Sequence, residues 1–402
     1  MPELLPTDNA VLKPTGTDGG PIVLLTTSLD WGGTEGNVVE LTRGYLRRNI
    51  RPVVVVDHGP LHRLPALEAA GVEVHVVDAA ADWSASRYRA ALRQVLNRVN
   101  ARIVHVNTWE WTAEIFQVVR SMHLPLVYTV HATVPNKAQV KTAFSKKLLP
   151  YLKLRWAYIK ENPVVINISD VSNHNFRRRF PQVRTTRRVY CGTYVPPAAS
   201  DAAAGGQAPQ VLWVGSMIER KRPLWALEVW RKVVARCPQA HLNLVGGGPL
   251  LAQVRAQEAS FPPGTLSIPG NVSDMSDLLE HSQIMFHTAT QEGIPKNILY
   301  ANTFGFPTVS TNVGAIPEAV QPGKTGFLAD VDDQDALVEG LCALIEDPER
   351  RGAMGRAARA LGETHFDLEH HIDETLRVYS EVCGVPLAVT PVQEGERPAT
   401  LT

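Results

Sequence analysis

The chain is poor in the features that would point directly to a chemistry. Its 402 residues include four cysteines, Cys191, Cys237, Cys342 and Cys383, with no Cys-x-x-Cys pair among them. Such spacing suggests neither a zinc site nor a disulfide framework, and it suits reduced thiols in a reducing compartment. Long apolar runs are missing too, since nothing approaches the ~18 continuous apolar residues of a spanning helix. The N-terminal stretch MPELLPTDNAVLKPTGTDGGP lacks a basic start followed by an apolar core, so it does not read as a secretory signal. Net charge is absent as well: 40 Lys and Arg balance 40 Asp and Glu, so the overall balance names no partner. No G-x-S-x-G occurs, and Glu369-His370-His371 does not have the spacing of a zinc peptidase. The expectation is a cytoplasmic protein without a metal or a resident cofactor.

What is present is an alternating pattern. Strand-like runs at Ile22 to Thr26, Val53 to Asp57, Val72 to Val77, Ile103 to Val106, Leu126 to Val130 and Val164 to Ile168 are separated by helical stretches. The clearest helices are Asn37 to Leu46, Ala85 to Val99 and Ala113 to Met122. Val- and Ile-rich strands alternating with helices imply a parallel sheet covered on both faces. A composition break follows at Val195 to Pro209, VPPAASDAAAGGQAP, which reads as a linker.

Alternation restarts at Val211 to Val214, continues at Leu242 to Val245, Leu266 to Ile268 and Ile284 to His287, and closes with Thr308 to Ser310. Helices are expected at Ala336 to Glu346, Pro348 to Glu363 and Leu368 to Cys383. The predicted organisation is a mobile tail over 1–20, a first α/β domain over 21–194, a linker over 195–209 and a second α/β domain over 210–366. A final helix over 367–383 returns toward the first domain, and 384–402 form a second tail. Two doubly wound domains on a short linker predict a cleft between them, the usual place for a ligand.

The stretch Ile284 to Val320 organises the second half. An apolar strand runs into a turn carrying Glu292, Gly293, Ile294 and Pro295, then a short helix, another strand and a second glycine turn at Gly314. Such a loop aims free N–H groups and a positive helix end at whatever docks there, commonly phosphate, and the Glu292 carboxylate beside it can bind hydroxyls. Upstream, Val214-Gly215-Ser216-Met217-Ile218-Glu219-Arg220-Lys221-Arg222-Pro223 is strand, loop, basic cluster and helix, a place for a cation beside a departing anion. Leu244 to Pro249 ends a strand in Gly246, Gly247 and Gly248, which is not a full G-x-G-x-x-G. In the first half, Asp30-Trp31-Gly32-Gly33-Thr34-Glu35 opens a helix after the first strand, and Val127 to Val130 ends in His131. Asp330-Val331-Asp332-Asp333 resembles a metal-binding Asp-x-Asp, but it precedes a helix, where capping is the expected role.

Glu292-Gly293-Ile294-Pro295, with Ala301, Gly305, Pro307, Val309, Thr311, Gly314, Pro317 and Glu318, resembles the donor-sugar segment of the retaining glycosyltransferases of family 4. These are the glycosyl transferases group 1, with the GT-B fold of two doubly wound Rossmann-like domains facing a cleft. The resemblance spans roughly residues 22 to 383 and implies transfer of a sugar from a nucleoside-diphosphate sugar to a saccharide or lipid-linked hydroxyl acceptor. It implies that His131, Lys221 and Glu292 act in catalysis. Gly33, Ser216, Arg220, Gly248, Asn271, Val272, Gly293, Ile294, Pro295 and Tyr300 are placed by it around the donor.

Two positions depart from the family pattern. Tyr300 stands where a second Glu would meet the ribose hydroxyls. Ser216 replaces an Arg, leaving Arg220 or Arg222 as substitute cations. Those departures keep two rival readings open, a nucleotide-sugar-binding scaffold without turnover and a GT-B nucleotide-sugar epimerase.

Thirteen Lys or Arg against Glu161 and Asp170 make residues 137–188 strongly positive. Phe144, Leu148, Leu149, Leu152, Leu154, Trp156 and Tyr158 interleave with them. Solvated helix surface is one reading; the other is peripheral contact with the inner membrane face, or an anionic lipid-linked acceptor, since a basic helix with an apolar side can lie on anionic lipid. Nucleic acid is not expected, because no recognition motif accompanies the charge.

Overall fold

The computed structural model describes residues 20–77, 84–108, 110–131, 154–197, 209–272 and 275–387. The chain forms two compact units: Cys191–His370 is one, and the described chain up to Tyr190 joins residues from His371 onward in the other. Most of the stretch read as a linker, 198–208, lies outside the described residues, as do most of the two expected tails.

The first unit is built on seven parallel strands: β1 (Ile22–Thr26), β2 (Pro52–Val56), β3 (Glu73–Val76), β4 (Ile103–Val106), β5 (Leu126–Val130), β6 (Val164–Asn167) and β7 (Thr186–Arg188). Their order is β3-β2-β1-β4-β5-β6-β7. β1, β2, β4 and β5 are buried along their whole length, as apolar runs flanked by helices must be. Helices Gly33–Arg47, Ala85–Val99 and Thr112–Ser121 match the expected ones within a few residues. The second of these starts at Ser84, whose hydroxyl accepts the Arg87 N–H, and stops at Asn100 in the left-handed conformation.

The second unit holds six parallel strands: β8 (Gln210–Val214), β9 (His241–Val245), β10 (Leu266–Gly270), β11 (Ile284–His287), β12 (Thr308–Thr311) and β13 (Gly326–Ala329), in the order β10-β9-β8-β11-β12-β13. Its core is anchored by two fully buried indoles. Trp213 donates to Thr288 Oγ1 at 2.9 Å, and Trp230 donates to the Thr265 carbonyl at 2.9 Å, so neither buried N–H is left unpaired.

Two strands escape the sequence reading. β7 is Thr186-Arg187-Arg188 on the sheet edge, with no apolar residue to mark it. β13 pairs with β12 beyond the strand expected to close the second sheet, and its four residues follow a turn with no strand-length apolar run. Of the basic segment, 137–153 lies outside the described residues, including Phe144, Leu148, Leu149 and Leu152.

Helix Leu368–Cys383 carries the chain back to the first unit, the division falling between His370 and His371. There it packs on helix Gly33–Arg47. A Cβ on Gly44 would lie 2.1 Å from Ile372 Cδ1, Arg48 pairs with Asp373 at 2.9 Å, and Tyr45 donates to the Tyr379 hydroxyl at 3.0 Å. That hydroxyl also meets His105 Nδ1 at 2.5 Å in the middle of β4. In both sheets the strand order reverses once, between β1 and β4 and between β8 and β11. The carboxyl ends of those strand pairs are where a doubly wound sheet leaves room for a ligand.

Candidate functional site

At the reversal in the second sheet, the loop after β8 carries Gly215–Arg222 and the loop after β11 carries Thr288–Pro295. Hydrogen bonds stitch them together. Thr288 Oγ1 donates to the Lys221 carbonyl at 2.8 Å, and the Thr290 N–H donates to the Arg220 carbonyl at 2.9 Å. Two residues that are 71 apart in the chain are thereby brought together: Lys221 Nζ lies 2.5 Å from Glu292 Oε1. Arg220 reaches the same oxygen at 2.9 Å and donates to the Gln291 carbonyl at 2.7 Å. Glu292 and Lys221 are largely shielded, with 9% and 13% of their side chains exposed, so their attraction is little screened by solvent.

Of the two candidate substitute cations, Arg220 lies beside Glu292. Arg222 turns away, donating to the Val331 carbonyl at 2.6 Å, pairing with Asp332 at 3.0 Å and lying over the Trp225 ring. Arg220 stays beside Glu292. Asp333 caps helix Gln334–Glu346 by accepting the Ala336 N–H at 2.9 Å, the role expected for it.

The rest of the rim comes from neighbouring strand ends. Gly246 and Gly248 have φ of +137° and +141°, and a Cβ on Gly246 would lie 1.9 Å from the Gly215 carbonyl oxygen. Glycine is therefore required for the β9 loop to press against the β8 loop. Asn271, on the next loop, packs its side chain over Gly247, with Val272 beside it. Ser216 and Gly248 are exposed. Pro295 is the N-cap of helix Lys296–Phe304, while Ile294 and Pro295 are buried and the Gly293 carbonyl accepts the Ala315 N–H at 3.3 Å.

Tyr300 is 4% exposed and packs among Leu212, Val214, Val245, Met275, Leu279 and Met285. It is part of a buried hydrophobic cluster, so the departure from the expected Glu is built into the core of this chain.

Sequence reasoning missed three residues here. His287 ends β11 fully buried, and burial followed by the nearby Lys221 and Arg220 charges pushes its imidazole well below the ordinary range. Asn297 donates from Nδ2 to the Val214 carbonyl at 2.8 Å and meets His287 Nδ1 at 3.1 Å. Lys296, the first residue of its helix, is buried, and desolvation lowers its ammonium to about 7. The available signal was a polar side chain ending or following a buried apolar strand.

The first unit carries the remaining sequence candidates. Gly33 opens its helix in the exposed turn after β1, with open space at its Cβ position. The carboxylate of Glu35 folds back over Gly32, and Ser28 donates to it at 3.2 Å. His131, beyond β5, meets Asn107 Oδ1 through Nε2 at 2.8 Å, and burial lowers it to about 4, so it is neutral near pH 7. Asp57, at the end of β2, accepts the Tyr88 hydroxyl at 2.5 Å and is raised to about 7 by burial.

Away from both strand reversals, Cys237, Cys342 and Glu346 bring three ligand-type atoms within 4.8 Å, the one such group among the described residues. Their separation in sequence concealed this. Burial holds the Cys237 thiol up at about 12, and Arg236 already pairs with Glu346, so the donor set suits a protonated thiol pair better than a cation.

Two tandem α/β units, each on a doubly wound parallel sheet, with the polar cluster at a strand-order reversal, define the class, a two-domain Rossmann-like architecture. The Glycosyltransferase Family 4 model matches residues 31–194, and the Glycosyl transferases group 1 model matches residues 208–347. The chain belongs to this family of GT-B glycosyltransferases.

Among curated proteins, N-acetyl-alpha-D-glucosaminyl L-malate synthase of Bacillus anthracis is 28% identical over 164 residues, 40% of this chain and 42% of the relative. D-inositol 3-phosphate glycosyltransferase of Rhodococcus opacus is 25% identical over 64% of this chain and 62% of its own length. The matched segment thus spans less than half of the first relative and under two thirds of the second. Among solved structures, Anabaena HepE in complex with UDP superposes with a TM-score of 0.73 at 19% identity, covering 90% of this chain and all of that one. Sucrose-phosphate synthase of Thermosynechococcus elongatus gives 0.73 at 18% identity, covering 91% and 99%. These structural likenesses establish the fold.

Proposed function

We propose that the chain transfers a sugar from a nucleoside-diphosphate sugar to a hydroxyl acceptor, with retention at the anomeric carbon. The observation that carries this reading is the Lys221–Glu292 pair at the carboxyl ends of β8 and β11. A departing diphosphate needs a fixed cation and backbone N–H donors, which Lys221 and the start of helix Lys296–Phe304 can supply. Sugar hydroxyls need a carboxylate acceptor, which Glu292 supplies.

In the proposed step the anomeric C–O bond breaks with its electron pair leaving on the phosphate oxygen. The acceptor oxygen then bonds to the anomeric carbon from the same face, and its proton passes to that phosphate oxygen. Two placed carboxylates, as in glycosidases, are not required. Lys221 and Arg220 supply the positive charge that this route asks for.

UDP is the first donor nucleotide to test, because HepE was solved with it. GDP is the second, since a mannosyltransferase of Mycolicibacterium smegmatis that is 28% identical over 38% of this chain is named as GDP-mannose-dependent. Incubation with UDP- and GDP-sugars and lipid or saccharide acceptors should release nucleotide only when an acceptor is present. The exposed Ser216 and the apolar packing of Tyr300 favour a second reading, a subunit that binds nucleotide sugar without turning it over. Binding with no nucleotide release across the panel would establish that reading instead.

We further propose that the acceptor is membrane-borne, in cell-surface polysaccharide or glycolipid synthesis. No helix among the described residues is long and apolar enough to cross a membrane. On helical residues 154–161, however, Trp156 is 67% exposed and Ile159 49% exposed, with Arg155 and Lys160 exposed beside them. An apolar and basic surface of this kind suits anionic lipid. Sedimentation with phosphatidylglycerol vesicles, weakened by Trp156→Glu, is the expected outcome, and equal sedimentation of the variant would remove this contact.

A further inference from the structure

His287 is fully buried at the end of β11, and its Nε2 has no hydrogen-bond partner among the described residues. The ring's other nitrogen fixes where the proton sits. Asn297 Oδ1 accepts the Ile298 N–H at 3.0 Å and Asn297 Nδ2 donates to the Val214 carbonyl at 2.8 Å, so two backbone groups orient the amide. Its Nδ2 faces His287 Nδ1 at 3.1 Å as a donor, which makes Nδ1 an acceptor and leaves the proton of the neutral ring on Nε2. That N–H lies 3.7 Å from Glu292 Oε1, just beyond hydrogen-bond reach. The same oxygen is held by Lys221 at 2.5 Å and Arg220 at 2.9 Å.

We propose that His287 is the positioning residue that takes over Glu292 when a phosphate draws Lys221 away. Resting on the donor-site reading above, this adds a partner exchange to it. In the form described, Lys221 neutralises Glu292. A nucleoside diphosphate competes for Lys221, and the vacated side of Oε1 is closed by the His287 Nε2–H, which needs a shift of less than 1 Å from 3.7 Å. The carboxylate stays in place to receive sugar hydroxyls, with Arg220 as its remaining cation. Asn297 acts one step further back, by holding the tautomer.

Among the described residues Nε2 makes no hydrogen bond, so the loss of its N–H should cost the fold little while weakening the liganded state. Titration calorimetry on the full chain with UDP, GDP, UDP-glucose and GDP-mannose tests this, using His287→Leu and His287→Gln. Gln carries an amide N–H near the Nε2 position. Because His287→Leu also deletes the Nδ1 acceptor of Asn297 Nδ2, it is expected to lower the melting temperature modestly, as His287→Gln does, and to lose about tenfold in nucleotide affinity, the worth of one hydrogen bond to a charged group. His287→Gln should recover most of that loss.

Unchanged affinity in His287→Leu would overturn the proposal, and so would a loss that tracks a lowered melting temperature and is not rescued by Gln. If the wild-type protein bound no nucleotide or nucleotide sugar of the panel, the donor-site reading would fail and this assignment with it. Should His287→Leu not fold, nitrogen-15 NMR of the wild type decides. The His287 Nε2 proton should move downfield on nucleotide binding, and an Nδ1-protonated ring or an unmoved signal would overturn the exchange.

Discussion

A Cβ on Gly314 would lie 1.8 Å from the carbonyl oxygen of Glu292, with Gly314 at φ +57°. The loop after β12 is therefore pressed against the backbone that presents the Glu292 carboxylate, and the Ala315 N–H reaches the Gly293 carbonyl from the same loop at 3.3 Å. Gly314→Ala forces those loops apart and adds left-handed strain, at a cost of about 1–3 kcal/mol. The expected outcome is a lower melting temperature together with loss of donor binding. A variant that melts lower yet binds nucleotide sugar normally would detach Glu292 from the site.

Tyr300 yields a prediction about side-chain chemistry. On the family pattern alone, Tyr300→Glu should improve donor affinity by restoring a ribose acceptor. The cluster of Leu212, Val214, Val245, Met275, Leu279 and Met285 around it argues for a different outcome, because a carboxylate there is desolvated among apolar side chains. Tyr300→Glu should destabilise the protein by roughly 2–4 kcal/mol, and Tyr300→Phe by less than about 1.5 kcal/mol, in urea denaturation. A stable Tyr300→Glu variant with tighter donor binding would show that the pattern outweighs the packing.

Asp57 makes stability depend on pH. Its folded pKa is raised from 3.8 to about 7, so the folded state holds its proton more tightly than the unfolded chain. This contribution is fully present below pH 3.8 and is lost as pH rises through about 7. Asp57→Asn keeps an acceptor for the Tyr88 hydroxyl and cannot ionise. Relative to wild type it should therefore gain stability as pH rises from 4 to 8, tracked by thermal melts across that range. A pH-independent difference between the two proteins would place the titration elsewhere.

The strands that make both sheets were legible because buried parallel strands must be apolar on both faces, as Val53, Val54 and Val55 are. The helix Ala85–Val99 was legible to the residue, since its Ser84 cap and Asn100 stop are local signals. The edge strands β7 and β13 were not, because Thr186-Arg187-Arg188 has no apolar residue and Gly326–Ala329 is too short an apolar run, whereas the other edges, β3 and β10, carry enough Val, Leu and Ile to be read. Lys221 and Glu292 were named from the strings around them, but their contact spans 71 residues and depends on strand order. Likewise, the orientation of Asn297 is set by Val214, and the turn of Arg222 away from Glu292 by Val331 and Asp332. Cys237 and Cys342 come together only because helices Pro223–Arg236 and Gln334–Glu346 lie side by side.

The account rests on Lys221 as the fixed cation beside Glu292, and the rate of acceptor-dependent nucleotide release by Lys221→Ala tests it most directly. Loss of one placed electrostatic stabiliser predicts a fall of about 10² or more, with the variant still folded. A folded Lys221→Ala protein that releases nucleotide at the wild-type rate would contradict it.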